Sequence, residues 1–308
     1  MVCRFILLSG IALLVAGACG DGGGEPEPTY TGEPAGRILF SSDRDGNLDV
    51  FIVGADGSDP VNLTNDPGSD DQAAVNDAGD TIAFISNRDG SPDLWLMGMD
   101  GSGQRSILSD PGVAARPVWS PDGSQIAHFS AAEQNRGTLW VTDVETGATG
   151  PLLELQQEEE RRVCSGGTPT DWPEASQVMY QGVVPGGRGI AVCRVNPADF
   201  SVSVALSKPG FAIFDAAVSP DGTKVAYSSD ELGNFDIWVA NIDGTNPVRL
   251  TIDPAYDAWP IWSLDGQWLA FVSERDRDAE IFLMRPDGSD VRQLTDNDAS
   301  DHAPFWTD

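Results

Sequence analysis

Lysine is almost missing from this 308-residue chain. There are two, Lys208 and Lys224, and the 18 Lys and Arg together face 48 Asp and Glu, for a net charge of −30. So few cations leave no basic patch, which excludes nucleic acid and an anionic bilayer surface as main partners. Histidine is as scarce: His128 and His302 are the only two. They are far apart in the chain, so no histidine pair has the spacing of zinc ligands. No GxSxG elbow is present either, which leaves little for nucleophilic catalysis. The glycine-rich stretch GSGQRS (101–106) lacks the lysine and the strand–helix context of a phosphate loop. Long apolar runs are absent too. The longest N-terminal run, Phe5–Ala16, has 12 residues, short of the roughly 18 that a membrane-spanning helix needs. Glutamate is also short, with 13 against 35 aspartates, and aspartate favours turns and caps over helix interiors.

What is abundant points to strands and turns. With 34 Gly and 21 Pro, the chain has the punctuation of many tight turns between short strands. Its first residues read as an export signal: one Arg, the short apolar run, then small residues before Cys19. Ala16-Gly17-Ala18-Cys19 resembles a bacterial lipobox, which implies cleavage before Cys19 and its lipidation. The alternative is an ordinary signal-peptidase cut after Ala18. Gly20 rather than Asp follows the Cys, which leans toward the outer membrane, facing the periplasm. Residues 20–36, GDGGGEPEPTYTGEPAG, have almost nothing to bury and read as a flexible tether. The expected organisation is therefore a lipoprotein signal peptide (1–18), an anchored linker (19–36) and one folded domain (37–308).

That domain is a unit written six times. The segments starting at Ile38, Ile82, Ile126, Val178, Val225 and Leu269 are spaced by 44, 44, 52, 47 and 44 residues. Each is followed by a second apolar run, a third that ends in Leu, and a fourth of the PxW type before the next unit. Four strands in about 45 residues is the period of a propeller blade. With the strands named a to d and the PxW strand as a, the chain enters at strand b and stops just after a strand a at Trp306. The last strand can only complete the first blade. The expected fold is all-β: a six-bladed β-propeller of four-stranded blades, closed by the C-terminal strand.

PVWSPDGSQIAHFS, AVSPDGTKVAYSSD and PIWSLDGQWLAFVSERD resemble the WD-like repeat of the TolB C-terminal propeller family, which also occurs in the propeller caps of prolyl-oligopeptidase-like and tricorn-type proteases. The resemblance spans nearly all of 37–308. Unit two lacks the turn proline (Asp77-Ala78-Gly79), and unit four lacks the turn sequence (Pro173-Glu174-Ala175-Ser176), so blade four is expected to be irregular. The first 36 residues are too few for the α/β domain that precedes the propeller in TolB, and no protease domain follows.

Antiparallel order puts the bc turns and the d-to-a loops on one face, face one, and the ab and cd turns on face two. The d-to-a loops carry residues that vary between units: Asp70, Asp71, Gln72, Arg116, Asp215, Asp257, Trp259, Asp301 and His302. These are expected to line one mouth of the central channel, with a negative potential that attracts a cation or a basic segment and repels anions. Asp43-Arg44-Asp45-Gly46-Asn47-Leu48-Asp49 imitates a calcium loop but runs straight into a strand. It reads better as a hairpin whose Arg pairs with the neighbouring Asp, and calcium is left only as a candidate cofactor. No metal site is assigned. His128 falls where other units have Phe84, Tyr227 and Phe271, which marks it as a core residue. Cys164 and Cys193 are expected to form a disulfide in an exported protein.

These features make a non-enzymatic binding module the leading expectation: a monomeric, envelope-anchored propeller that holds a protein or peptide partner at one mouth. The resemblance to TolB implies an envelope role and a Pal-like lipoprotein as a candidate partner. A cation-dependent propeller enzyme of lyase or glycosidase type, or a cation or small-ligand sensor, is the alternative.

Overall fold

The computed structural model describes residues 30–108, 114–130, 138–152, 163–184 and 190–308. The signal segment, Cys19 and the linker up to residue 29 lie outside the described residues. The regular elements in the described residues are all strands, arranged in six four-stranded antiparallel sheets.

Blade 1 contains β1 (Arg37–Ser42), β2 (Asp49–Gly54) and β3 (Val61–Asn62). Blade 2 is β4 (Asp70–Val75), β5 (Thr81–Ser86), β6 (Asp93–Gly98) and β7 (Arg105–Ser106). Blade 3 is β8 (Ala114–Trp119), β9 (Gln125–Ser130), β10 (Thr138–Asp143) and β11 (Thr149–Pro151). Blade 4 is β12 (Ser165–Glu174), β13 (Gln177–Val183), β14 (Ile190–Val195) and β15 (Val202–Leu206). Blade 5 is β16 (Ile213–Val218), β17 (Lys224–Ser229), β18 (Asp236–Asn241) and β19 (Val248–Arg249). Blade 6 is β20 (Asp257–Trp262), β21 (Leu269–Ser273), β22 (Glu280–Met284) and β23 (Arg292–Gln293). The last strand, β24 (Asp301–Thr307), pairs with β1 in the register Ile38↔Trp306 and Ser42↔Asp301 and completes blade 1. The ring is closed by its C-terminal strand, as the phase of the repeat requires.

Strands b and c of most blades are buried along nearly their whole length, as in the Phe40–Phe51 and Phe84–Trp95 neighbours. Each blade is covered on both sides by its neighbours, so a continuous β-branched and aromatic run suits these strands better than strict alternation. The core is a set of clusters between blades; the one joining blades 6 and 1 contains Ile38, Phe40, Trp268, Ile281 and Trp306. Indole N–H groups staple adjacent blades: Trp119 donates to the Ala74 carbonyl and Trp262 to the Ala217 carbonyl, each at 3.0 Å. The outer strands of blades 1, 2, 5 and 6 are two residues long, which limits the exposed edge that each offers to another chain.

Blade 4 is the irregular one. β12 has ten residues and three register shifts against β13. The Cys164–Cys193 disulfide, with the Cα atoms 6.5 Å apart, ties its entry to its third strand. Residues 30–36 do not trail away as a tether. They lie on blades 6 and 1: Trp306 donates to the Ala35 carbonyl at 2.8 Å, and the Ala55 N–H donates to the Gly36 carbonyl at 3.0 Å. Gly36 has φ 85°, and a β-carbon there would collide with the Thr307 carbonyl oxygen.

Candidate functional site

The innermost strands share a bulge on face one. Register shifts interrupt β4, β8, β16 and β20 against their neighbours at equivalent places, and β24 shifts against β1 nearby. At these points Gln72, Arg116, Asp215, Trp259 and Ala303 have φ of 56°, 52°, 53°, 58° and 53°. Only blade 4 is exempt: Pro169 stands at the equivalent position, and its ring forbids a positive φ. A left-handed residue other than glycine costs of the order of 1 kcal/mol or more. Bulges of this kind re-aim a side chain, and here they form a ring around the channel entrance.

Arg116 occupies that entrance. Its Nη2 lies 2.5 Å from Asp215 Oδ1, and its guanidinium carbon is 4.3 Å from the centre of the Trp259 ring. This pairing joins blade 3 to blade 5, past blade 4, and stacks on blade 6. The Arg116 N–H donates to Gln72 Oε1 at 2.7 Å, and Ser228 Oγ donates to Asp215 Oδ2 at 3.1 Å. With the Gln181 amide oriented to satisfy the network, its oxygen accepts from Arg116 Nη1 at 3.2 Å and from the Asp215 N–H at 2.9 Å. On the other side His302 Nδ1 lies 3.6 Å from Asp71 Oδ1, and the imidazole meets Trp259 edge-on at 6.1 Å. Beside this cluster Phe214, Phe235 and Tyr256 form an aromatic ladder with ring centres 5.5 and 5.4 Å apart. Burial, then the Asp215 and Glu274 carboxylates, push the Tyr256 hydroxyl above the usual phenol range, with Arg116 opposing them. Tyr256 is 38% exposed and Ile252 80%, so the mouth has an apolar shoulder.

Three of the acids expected at the mouth are not presented there. Asp70, Asp257 and Asp301 are the first residues of β4, β20 and β24, and their side chains are fully buried. Each is met by an arginine from the bc turn of its own blade: Arg88 at 2.7 Å, Arg275 at 3.2 Å and Arg44 at 2.7 Å. The same arginines donate through Nε to Ser86, Ser273 and Ser42 and lie over aromatic rings such as Trp95, Phe282 and Phe51. The bc-turn arginine therefore does not pair with the next aspartate in sequence, because its stem reaches back over the blade to the strand a carboxylate. Burial raises the carboxyl pKa of Asp70 and Asp257, while the arginine and serine donors pull it down. What remains at the opening is Asp71, Gln72, Arg116, Asp215, Trp259 and His302, a surface whose charges are largely paired internally.

The oxygens of the calcium-like loop are likewise engaged. Asp43 accepts the Ser300 N–H at 2.8 Å, Asp45 accepts from Asn62 at 3.0 Å, and Asp49 accepts from Asn62 and Thr64 at 2.8 and 3.1 Å. Among the described residues no group of three His, Cys, Asp or Glu is placed to hold a metal ion. His128 is buried, with Nε2 2.9 Å from Thr142 Oγ1, and burial lowers its pKa to about 4.

Below the mouth the channel holds a cavity of about 210 Å³, lined by all six innermost strands. At one depth each blade contributes one residue: Ala74, Val118, Asp171, Ala217, Ile261 and Phe305. Asp171 is the single acid in this ring. Its Oδ2 accepts the Val218 N–H at 2.7 Å, and burial pushes its pKa up to about 6, with Asp77 adding to the rise. Asp77 stands where other units have the turn proline. Aligned on the PxW strands, Asp171 falls level with Ala74 and Val118, and Asp77 with the turn proline Pro121.

Residues 25–205 and 168–308 match the TolB beta propeller domain family. A 49-residue stretch is 41% identical to the Tol-Pal system protein TolB of Anaeromyxobacter dehalogenans (strain 2CP-C), covering 16% of this chain and 11% of that protein. Among solved structures, TolB from Acinetobacter baumannii superposes with a TM-score of 0.77 at 18% identity, over 90% of this chain and 68% of that one. A putative TolB from Agrobacterium tumefaciens gives 0.66 at 15% identity, over 89% and 99%. The oligogalacturonate lyase of Vibrio parahaemolyticus gives 0.57 at 15% identity, over 85% and 75%, so the fold also carries enzymes. With the family match running across the whole ring, the chain belongs to the TolB beta propeller domain family.

Proposed function

We propose that this protein is a non-enzymatic propeller of the bacterial envelope, anchored through a lipid on Cys19, that receives a protein or peptide segment at the face-one mouth. The observation that carries this reading is the ring of left-handed bulges aiming Gln72, Arg116, Asp215 and Trp259 at one opening. The strain recurs in five blades at the place where side chains differ between repeats, which is where recognition is expected. Trp259 and the Tyr256 shoulder offer flat apolar area of the kind that anchors use, and Asp71, Gln72 and His302 offer hydrogen-bonding groups around it. A cationic side chain from a partner would have to displace Arg116 from Asp215, so an apolar or aromatic anchor with main-chain hydrogen bonds suits this opening better. The name of the curated relatives, a Tol-Pal system protein, supports an envelope partner, with a Pal-like lipoprotein as the first candidate. Against the lyase or glycosidase reading, the acids Asp70, Asp257 and Asp301 are buried and paired with arginines.

The reading is tested by crosslinking capture from the envelope with Cys19 intact. Arg116→Ala/Trp259→Ala should lose the captured partner at least tenfold, while Asp100→Lys/Asp243→Lys on face two should keep it. The opposite pattern would place the site on the wrong end of the ring.

A further inference from the structure

Six copies of one unit act as internal controls for one another, and blade 6 departs from the others on face two. Strand b opens on Arg37, Thr81, Gln125, Gln177 and Lys224 in blades 1 to 5, and the equivalent position in blade 6, just before β21, is Trp268. The third residue before the cd-turn glycine is Gly54, Gly98 and Asn241 in blades 1, 2 and 5, and Arg285 in blade 6. An indole would be out of place at a surface position, yet Trp268 is 1% exposed. Two arginines cover it: the Arg285 guanidinium lies 3.7 Å and that of Arg292 4.8 Å from the ring centre.

Both arginines also hold the segment that precedes the ring. Arg285 donates to the Gly32 carbonyl and Arg292 to Glu33. Thr31 N–H reaches Gln267 in the ab turn of blade 6 at 3.4 Å, and Trp306 fixes the Ala35 carbonyl at 2.8 Å. All these partners lie at the face-two ends of their strands or in face-two turns. Blade 6 thus carries a seat for residues 31–36 that the repeat itself does not contain.

We infer that this seat orients the molecule: the chain leaves the ring from face two, so the lipid-anchored protein holds face two toward the bilayer and the Arg116–Trp259 mouth away from it, toward a partner approaching from the far side. The inference rests on the lipidation of Cys19 proposed above. Ten residues lie between Cys19 and Tyr30, and the eleven residue-to-residue steps span at most about 40 Å when fully extended. Turning the mouth to the membrane would take the tether outward past strands spaced about 4.8 Å apart and then across a ring about 20 Å deep. That path uses nearly the whole extended length, whereas the face-two orientation needs almost none of it. Aspartates stand in the cd turns of face two (Asp56, Asp100, Asp243, Asp287) and in the bc turns of face one (Asp45, Asp89, Asp276), so repulsion from an anionic bilayer does not by itself select a face.

The experiment uses the full-length lipidated protein in phosphatidylethanolamine–phosphatidylglycerol vesicles that contain a headgroup-labelled energy-transfer acceptor. A donor dye on an unnatural amino acid is placed on face two at Asp100 or Asp243, or on face one at Asp276 or Asp298. Transfer from face two should be at least twofold more efficient than from face one. Arg285→Ala/Arg292→Ala should bring the ratio toward one. So should inserting about 20 Gly/Ser residues between residues 29 and 30, a change that leaves the ring untouched. Equal transfer from both faces of vesicle-bound protein, or stronger transfer from face one, overturns the orientation alone. Protein that does not float with the vesicles overturns the anchoring reading, and the orientation with it, before any transfer is measured.

Discussion

Asp171, half-buried in the channel wall, and His128, fully buried, are titratable side chains whose proton preferences oppose each other. The folded protein holds the Asp171 proton up to about pH 6, against an ordinary carboxyl value of 3.8. Folding is then favoured while both states are protonated, and stability falls as the pH rises from about 4 through 6. His128 titrates at about 4 when folded, against 6.5. Its neutral burial costs nothing above 6.5, and stability is lost as the pH falls toward 4. The two effects overlap in one window, so only single-site variants separate them. Asp171→Asn mimics the protonated acid and keeps an oxygen for the Val218 N–H. It should leave stability unchanged near pH 4 and raise it on the order of 1 kcal/mol at pH 7, by denaturant titration at both values. A variant less stable at pH 7 than the parent would show that the carboxylate is needed there. The role of His128 was legible in the sequence because other units have Phe or Tyr in its place. Asp171 was not, because the strand PTDW (169–172) does not show which of its residues faces the channel until six such strands are stacked around it.

Strands and turns carried most of the legible signal. Alternating turn glycines and aromatic runs at a period near 44 residues fixed the blades, their number and the closing strand. The bc-turn arginines pair across the sheet, which adjacency in sequence does not show: Arg88 and Arg275 reach back 18 residues to Asp70 and Asp257, and Arg44 meets Asp301, 257 residues away, at 2.7 Å. The seated segment 30–36 was read as tether because Gly, Pro and Glu say nothing about what lies beneath them. The bulges left little trace: of the five residues only Asp215 is of a type enriched at positive φ, and Gln72, Arg116, Trp259 and Ala303 are not. Within an element, the arginine–aspartate pair has a measurable signature. Arg88→Leu leaves Asp70 buried with its charge unpaired and should cost about 3 kcal/mol or more. Adding Asp70→Asn should recover much of that loss. Thermal unfolding of the two variants checks it; a double variant no better than the single one would contradict the pairing.

At the scale of the whole molecule, repetition builds the ring and departures from repetition give it two distinct ends. Face one has the strained mouth and its aromatic shoulder; face two has the Trp268 seat. The central claim is that partners meet the first and not the second. Site-specific photocrosslinking in intact cells measures this most directly, with a photoreactive residue at Gln72 or Tyr256 on face one and at Lys224 or Thr245 on face two. The account predicts a discrete crosslinked partner band from the face-one positions that disappears with Arg116→Ala/Trp259→Ala, and no such band from face two. A band from Lys224 or Thr245 that survives the mouth substitutions, with none from Gln72 or Tyr256, would contradict it.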